Sequence, residues 1–185
     1  MGLPAGDPRL PVRSLLSSSA FSPPLARRNE MAELLAGMTL KRKDGSTIMA
    51  EELRGKVVAF YFSAHWCPPC RLFTPQLKDF YYEANKGSDD FEIVFFSFDR
   101  SDEDAESYVK ESHGNWLYLL PSEDKVESIS DKFGVEGIPA LIVLKPDGSV
   151  ITKGRAGGGF GPCPKGRGGR LEGAVVSGTE EHRTA

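Results

Sequence analysis

The sequence has few cysteines, a small net charge and no long apolar runs. Its three cysteines are too few for a small secreted scaffold held by disulfides, so we expect thiols kept for chemistry in a reducing compartment. The formal net charge of −3 favours neither strong nucleic-acid binding nor binding to an anionic membrane. No apolar run approaches the ~18 residues of a membrane-spanning helix. Hydrophobic residues make up 39% of the 185-residue chain, enough for one folded domain with flanking segments.

Composition divides the chain into three segments. Residues 1–30 are rich in Pro, Ser and Arg without clean periodicity, so we expect a disordered extension, with a weak transit peptide as the alternative. Residues 31–154 alternate strand-like and helix-like patterns and are the predicted folded domain. Residues 155–185 are glycine-rich and are predicted to be disordered. For Cys163, which lies in this tail, we weigh an intermolecular disulfide against no role and favour no role.

Apolar patterning in the middle segment predicts an α/β sandwich with a mixed sheet. Continuous apolar runs are typical of central strands buried on both faces. Such runs occupy residues 56–62, 91–98 and 141–144, and shorter strands are expected at 38–42, 47–49 and 149–152.

Three helices are expected between these strands. The first covers residues 72–84, and its predicted buried face carries Phe73, Leu77, Phe80 and Tyr81. The second begins after Ser101 as N-cap, because acidic residues follow in its first turn. The third is expected to run from Ser122 to about residue 133.

Cys67 and Cys70 form a C-x-x-C unit where a buried strand meets the first helix. The positive end of the helix dipole stabilises a thiolate, which is the nucleophile in disulfide exchange. Cys67 is therefore the predicted nucleophile, and Cys70, one turn later, the thiol that resolves the mixed disulfide. Pro68 and Pro69 suit the first turn, where a missing N–H costs nothing, and Arg71 adds a nearby cation. A zinc site or a structural disulfide is less favoured, since zinc normally needs four ligands.

Residues 60–71, FYFSAHWCPPCR, followed by Phe73-Thr74-Pro75, resemble the thioredoxin superfamily and, within it, the tryparedoxins and nucleoredoxins. The resemblance extends over about residues 31–153. It implies a thioredoxin-like sandwich, with a central mixed sheet flanked by helices and a C-terminal helix that covers one face. Glycine-rich sequence stands where that helix belongs, so the helix is expected to be missing. We therefore expect an exposed apolar sheet face and lower stability than in a relative with the helix.

The resemblance also implies roles for several site residues. Cys67 would be exposed and Cys70 buried. Trp66 would form part of the substrate-contact surface, Pro139 would be a cis-proline beside the dithiol, and the backbone of Ile138 would pair with an extended substrate segment.

Tyr61 is a departure from thioredoxins proper, which carry a buried acid at this position that moves the proton of the resolving thiol. A phenol with a pKa near ~10 is a poor base near neutral pH. The sequence therefore leaves the proton acceptor for Cys70 unassigned.

These features predict a protein-disulfide reductase that acts by dithiol–disulfide exchange and holds no cofactor or metal. Its expected partners are disulfide-containing proteins and a separate electron donor, either thioredoxin reductase or a low-molecular-weight thiol, with no nucleic-acid or membrane partner. The alternative is a redox-sensitive binding or signalling module with little turnover. We expect a monomer in the cytoplasm, with the nucleus as a further compartment, or in mitochondria if residues 1–30 act as a transit peptide.

Overall fold

The computed structural model describes residues 34–155 and 163–164, so the predictions for residues 1–30 and for most of the glycine-rich tail lie outside the described residues. The strands are β1 (Thr39–Arg42), β2 (Thr47–Met49), β3 (Val57–Ser63), β4 (Phe91–Ser97), β5 (Leu117–Leu119), β6 (Gly137–Ile138), β7 (Ala140–Leu144), β8 (Val150–Arg155) and β9 (Cys163–Pro164). The helices are α1 (Pro68–Ala84), α2 (Asp102–Ser112) and α3 (Lys125–Lys132), and a 3₁₀ helix covers Ala50–Leu53.

Seven of these strands form one mixed sheet in the order β2-β1-β5-β4-β3-β7-β8. The central strand β3 pairs in parallel with β4 and antiparallel with β7. Both neighbours were predicted from their apolar runs, and the burial of β3 on both faces confirms the interpretation of its sequence. The remaining strands, β6 and β9, form a separate antiparallel pair. The predicted α/β sandwich with a mixed sheet is confirmed.

The core has two layers because successive side chains of a strand point to opposite faces of the sheet. Phe60 and Phe62 contribute to one layer, into which α3 buries Val126 and Ile129. Tyr61 contributes to the other layer, which is covered by α1 and α2. The site described below lies where the first turn of α1 meets these layers.

The ends and faces of two helices differ from the predictions. Phe80 is 56% exposed and packs edge-to-face on Phe91, so its assignment to the buried face of α1 is wrong. The helix α3 begins at Lys125, not at Ser122. The physical reason is that the Ser122 hydroxyl donates a hydrogen bond to Asp102 at 2.7 Å and so caps no helix of its own. The predicted N-cap at Ser101 is confirmed, since its hydroxyl accepts from the Asp104 N–H.

One sheet face is only partly covered. On β7, Leu141 and Val143 remain half-buried against the layer formed by α1, whereas the alternate residues of the same strand are buried. The prediction that no C-terminal helix covers this face concerns residues after Arg155, most of which lie outside the described residues. Among the described residues, no helix has the length and apolar character needed to cross a membrane.

His113 ends α2 and is completely buried among aromatic rings. Its Nδ1 accepts a hydrogen bond from the Trp116 indole at 3.1 Å, and the rings of Phe95 and Tyr108 lie 4.4 and 4.5 Å away, edge to face. Nε2 has no hydrogen-bond partner among the described residues. Burial, followed by the nearby charges of Lys43 and His65, lowers the pKa of His113 to about 3. The imidazole is therefore neutral in the folded protein.

The low pKa of His113 predicts acid sensitivity. Between about pH 6.5 and pH 3 the unfolded chain binds a proton at His113 that the folded chain does not, so the unfolding free energy falls as the pH falls through this window, by about 3–5 kcal/mol in total. In His113→Gln the amide oxygen can still accept from Trp116 but does not titrate. Urea unfolding at pH 7 and pH 4 should show a smaller acid loss for the variant, and parallel losses would contradict the prediction.

Candidate active site

The dithiol lies at the junction of β3 and α1, as predicted. Cys67 is the N-cap of α1, and Pro68 and Pro69 occupy its first two positions. The sulfur atoms of Cys67 and Cys70 lie 2.7 Å apart, and both are free thiols. Because prolines have no N–H, the N–H of Cys70 is the first in the helix that could serve the Cys67 sulfur. The helix terminus thus offers fewer donors to Cys67 than the sequence argument assumed.

Cys67 is fully buried, so the expectation of an exposed nucleophile is wrong for this conformation. Its sulfur lies 3.8 Å from the carbonyl oxygen of Ile138 in β6. Strand β9 pairs Cys163 with Ile138, whose carbonyl oxygen faces the Cys67 sulfur, so Cys163 lies next to the dithiol. The expectation that Cys163 has no folded surroundings is therefore also wrong.

Their surroundings shift the pKa values of the two active-site thiols in opposite directions. The hydrogen bond with Cys70, followed by burial, raises the pKa of Cys67. Burial opposes ionisation of Cys70, but hydrogen bonds from Cys67, from the Ser63 hydroxyl and from the Ala64 N–H outweigh it and lower the pKa of Cys70. The contact between the two sulfurs therefore disfavours ionisation of Cys67 and favours ionisation of Cys70, the reverse of the order that the position of Cys67 at the helix terminus predicts.

A buried cluster of hydroxyl groups stands behind Cys70. Thr74, one turn along α1, donates to the carbonyl of Cys70 at 2.9 Å. Its hydroxyl oxygen then accepts from the phenols of Tyr61, at 2.8 Å, and Tyr108. The Tyr108 oxygen also lies 3.4 Å from the Ser63 hydroxyl. Cys70 is thus held by groups from β3, α1 and α2.

Tyr61 acts in this cluster as a hydrogen-bond donor. Burial raises its pKa well above the ordinary value, so the phenol keeps its proton. This agrees with the sequence argument that Tyr61 is a poor base. The side chain that contacts the Cys70 sulfur is instead Ser63, at the end of β3.

The loop before Cys67 is fixed by the end of β4. Asp99 accepts from the His65 N–H at 2.7 Å and from the Ser97 hydroxyl at 2.8 Å, and burial raises the pKa of Asp99. The half-buried Trp66 donates its indole N–H to the Phe98 carbonyl at 2.9 Å. This indole therefore has a fixed orientation beside the dithiol.

The remaining predicted site residues are Ile138, Pro139 and Arg71. The Ile138–Pro139 peptide bond is cis, and Ile138 lies against Cys67. Arg71 is exposed and lines a cleft with Trp66 and Asp99, and the main influences on the pKa of either thiol come from other groups. The predicted cationic support from Arg71 is thus not seen in this arrangement.

Five further residues of the site were not predicted. They are Ser63, Thr74, Asp99, Tyr108 and Cys163. Ser63 and Asp99 could have been suspected, because they lie at the carboxyl ends of neighbouring parallel strands, where α/β proteins build sites. In the described part of the chain, no group of three or more His, Cys, Asp or Glu side chains could hold a metal ion.

Comparisons with known proteins point to one family. The sequence model described as thioredoxin-like matches residues 55–150. Mouse nucleoredoxin is 41% identical over 122 residues, which are 65% of this chain and 27% of that protein. Tryparedoxin of Trypanosoma brucei brucei is 38% identical over 122 residues, which are 65% of this chain and 83% of that protein. The chain thus spans about a quarter of the length of the nucleoredoxin it matches.

Solved structures agree with these relatives. The thioredoxin from Wuchereria bancrofti superposes with a TM-score of 0.60 and 54% identity, covering 64% of this chain and 83% of that one. A tryparedoxin II solved in complex with glutathionylspermidine superposes with a TM-score of 0.59 and 35% identity, covering 66% of this chain and 85% of that one.

Proposed function

Because the chain belongs to the thioredoxin-like family, we propose that it is a protein-disulfide reductase that exchanges disulfides through Cys67 and Cys70. The observation that carries the proposal is the pair of free thiols 2.7 Å apart at the N-terminus of α1. Two sulfurs in this contact can form and break a bond without rearrangement of the fold.

The reaction proceeds in two exchanges. The Cys67 sulfur, as thiolate, attacks one sulfur of a substrate disulfide, and the other substrate sulfur leaves and takes up a proton. Cys70 then attacks the Cys67 sulfur of the mixed disulfide and releases the second substrate thiol. Two electrons pass to the substrate, and the protein is left with a Cys67–Cys70 disulfide. The Ser63 hydroxyl and the Ala64 N–H support this second step, because both favour the ionised Cys70 sulfur when it must attack.

The substrate is an extended protein segment that pairs with the backbone of Ile138, beside cis-Pro139 and the fixed indole of Trp66. Re-reduction needs a separate donor, thioredoxin reductase or a low-molecular-weight thiol. The tryparedoxin II complex with glutathionylspermidine supports the second choice, since that ligand is a small thiol. We place the reaction in a reducing compartment, the cytoplasm or nucleus.

A redox-sensitive binding or signalling module is the second candidate. The full burial of Cys67 favours it, because a covered nucleophile turns over slowly. In that case the dithiol would switch contacts rather than cycle.

Reduction of insulin disulfides, with dithiothreitol as donor, separates the two candidates. We expect multiple turnovers by the wild-type chain and none above background by Cys67→Ser, because the variant lacks the attacking sulfur. Circular dichroism of both proteins controls for folding. A well-folded wild-type chain without turnover would overturn the reductase proposal in favour of the binding module.

A further inference from the structure

Strand β9 brings a third thiol to the dithiol. Ile138 pairs with Cys163, and Gly137 with Pro164, in antiparallel register. The Cys163 side chain is half-buried against the core layer that contains Cys67 and Cys70, and its thiol is close enough to that of Cys67 for each to influence the pKa of the other. Strand β9 therefore occupies the backbone edge that an extended substrate segment would use, and it presents a sulfur to the nucleophile.

We propose that residues 163–164 form an internal substrate strand, and that Cys163 is a third redox-active thiol that exchanges disulfides with Cys67. The inference rests on the proposed function, because it uses the same nucleophile and the same edge at Ile138. It extends that function by placing a competitor for substrates within the chain.

The proposed exchange needs no oxidant or reductant from outside the protein. It begins from the Cys67–Cys70 disulfide that each substrate reduction leaves behind. The Cys163 sulfur attacks Cys67, the bond between Cys67 and Cys70 breaks, and a Cys67–Cys163 bond forms. The proton lost by Cys163 is taken up by the Cys70 sulfur. One disulfide replaces another, so no electrons enter or leave the protein, and Cys70 reverses the step by the same attack.

The state of the dithiol controls this exchange. In the reduced protein, burial and then the nearby Cys67 thiol raise the pKa of Cys163 to about 12, so this thiol stays protonated. Formation of the Cys67–Cys70 disulfide removes the second of these causes. The internal exchange therefore belongs to the oxidised protein, whereas in the reduced protein β9 only covers Cys67.

Covalent capture tests the inference directly. Cys70→Ser leaves Cys67 and Cys163 as the remaining cysteines, and oxidised glutathione supplies the two-electron oxidant. We expect a disulfide that joins tryptic peptides 57–71 and 156–165, detected by mass spectrometry without reduction. The matched control is Cys70→Ser, Cys163→Ser, Ser88→Cys, whose second thiol lies beyond the far end of α1, about 25 Å away for a helix of 17 residues. It should give no internal disulfide.

Turnover supplies the second measurement. Because the internal exchange belongs to the oxidised protein, Cys163→Ser should lower the KM for dithiothreitol, about 2- to 10-fold if half to nine-tenths of the oxidised chains hold the Cys67–Cys163 bond. A folded Cys70→Ser protein that gives no 57–71/156–165 link overturns the inference, whatever its turnover. A wild-type chain that forms the link in Cys70→Ser but reduces no insulin overturns the proposed function and leaves the internal exchange supported.

Discussion

The double variant Cys70→Ser, Cys163→Ser is expected to hold its protein substrates covalently on Cys67. The Cys70 sulfur lies 2.7 Å from that of Cys67, and Cys163 pairs with Ile138 beside Cys67, so the variant removes both candidates for internal attack. Resolution then depends on external thiols. Because an intramolecular attack has a large effective molarity, its loss should slow turnover at least ~100-fold.

The measurement is a comparison of captured proteins on non-reducing and reducing gels, followed by mass spectrometry of the bands that thiol reduction releases. The matched control is Cys67→Ser, Cys163→Ser, which keeps one active-site cysteine but not the proposed nucleophile. Capture by the control at the level of the trapping variant would contradict the assignment of Cys67 as the attacking sulfur.

Arg42→Met is expected to cost about 3–5 kcal/mol of unfolding free energy, because it strips a buried carboxylate of its counter-charge. Glu92 has no exposed surface, and one of its oxygens lies 2.6 Å from the Arg42 guanidinium. The other oxygen accepts from the Tyr81 phenol and from the Ile93 N–H. Burial, followed by the charge of Glu92, raises the pKa of Tyr81 to about 12, so this phenol stays a donor.

Urea unfolding at neutral pH measures this loss, and a double-mutant cycle isolates its cause. Adding Glu92→Gln should restore much of the stability lost in Arg42→Met, because a neutral amide needs no counter-charge. The two substitutions would simply add if the cost came from lost packing of the arginine stem. Additive losses, or a single-variant loss below ~1 kcal/mol, would contradict the electrostatic explanation.

The parts of the fold that sequence predicts well are those set by local pattern. Strands β3, β4 and β7 are long apolar runs, and such runs are buried on both faces of a sheet. The short strand β5 was missed, because three residues next to Trp116 show no period. The start of α3 was misplaced, because the partner of Ser122 is Asp102, which lies 20 residues away in the chain.

In the candidate site, too, sequence predicts the features set by local pattern and misses those that residues distant in the chain create. The dithiol and its prolines are one contiguous motif and were located from sequence. The groups around Cys70 come from separate elements, since Ser63 ends β3 and Tyr108 lies in α2. Cys163 was misjudged for a further reason. Glycine-rich sequence is typical of disorder, and a two-residue pairing with β6 leaves no periodic signal.

The order of strands in the sheet also governs how the chain must fold. The central strand β3 can pair with β4 early, but Val58 of the same strand also pairs with Leu144, far along the chain. Likewise Arg42 in β1 pairs with Leu117 in β5. Contacts so distant in sequence must close large loops before they contribute stability, which slows folding. On the ribosome, the apolar surface of β3 therefore waits for β7 to emerge, and this interval is when the nascent chain most needs protection from aggregation.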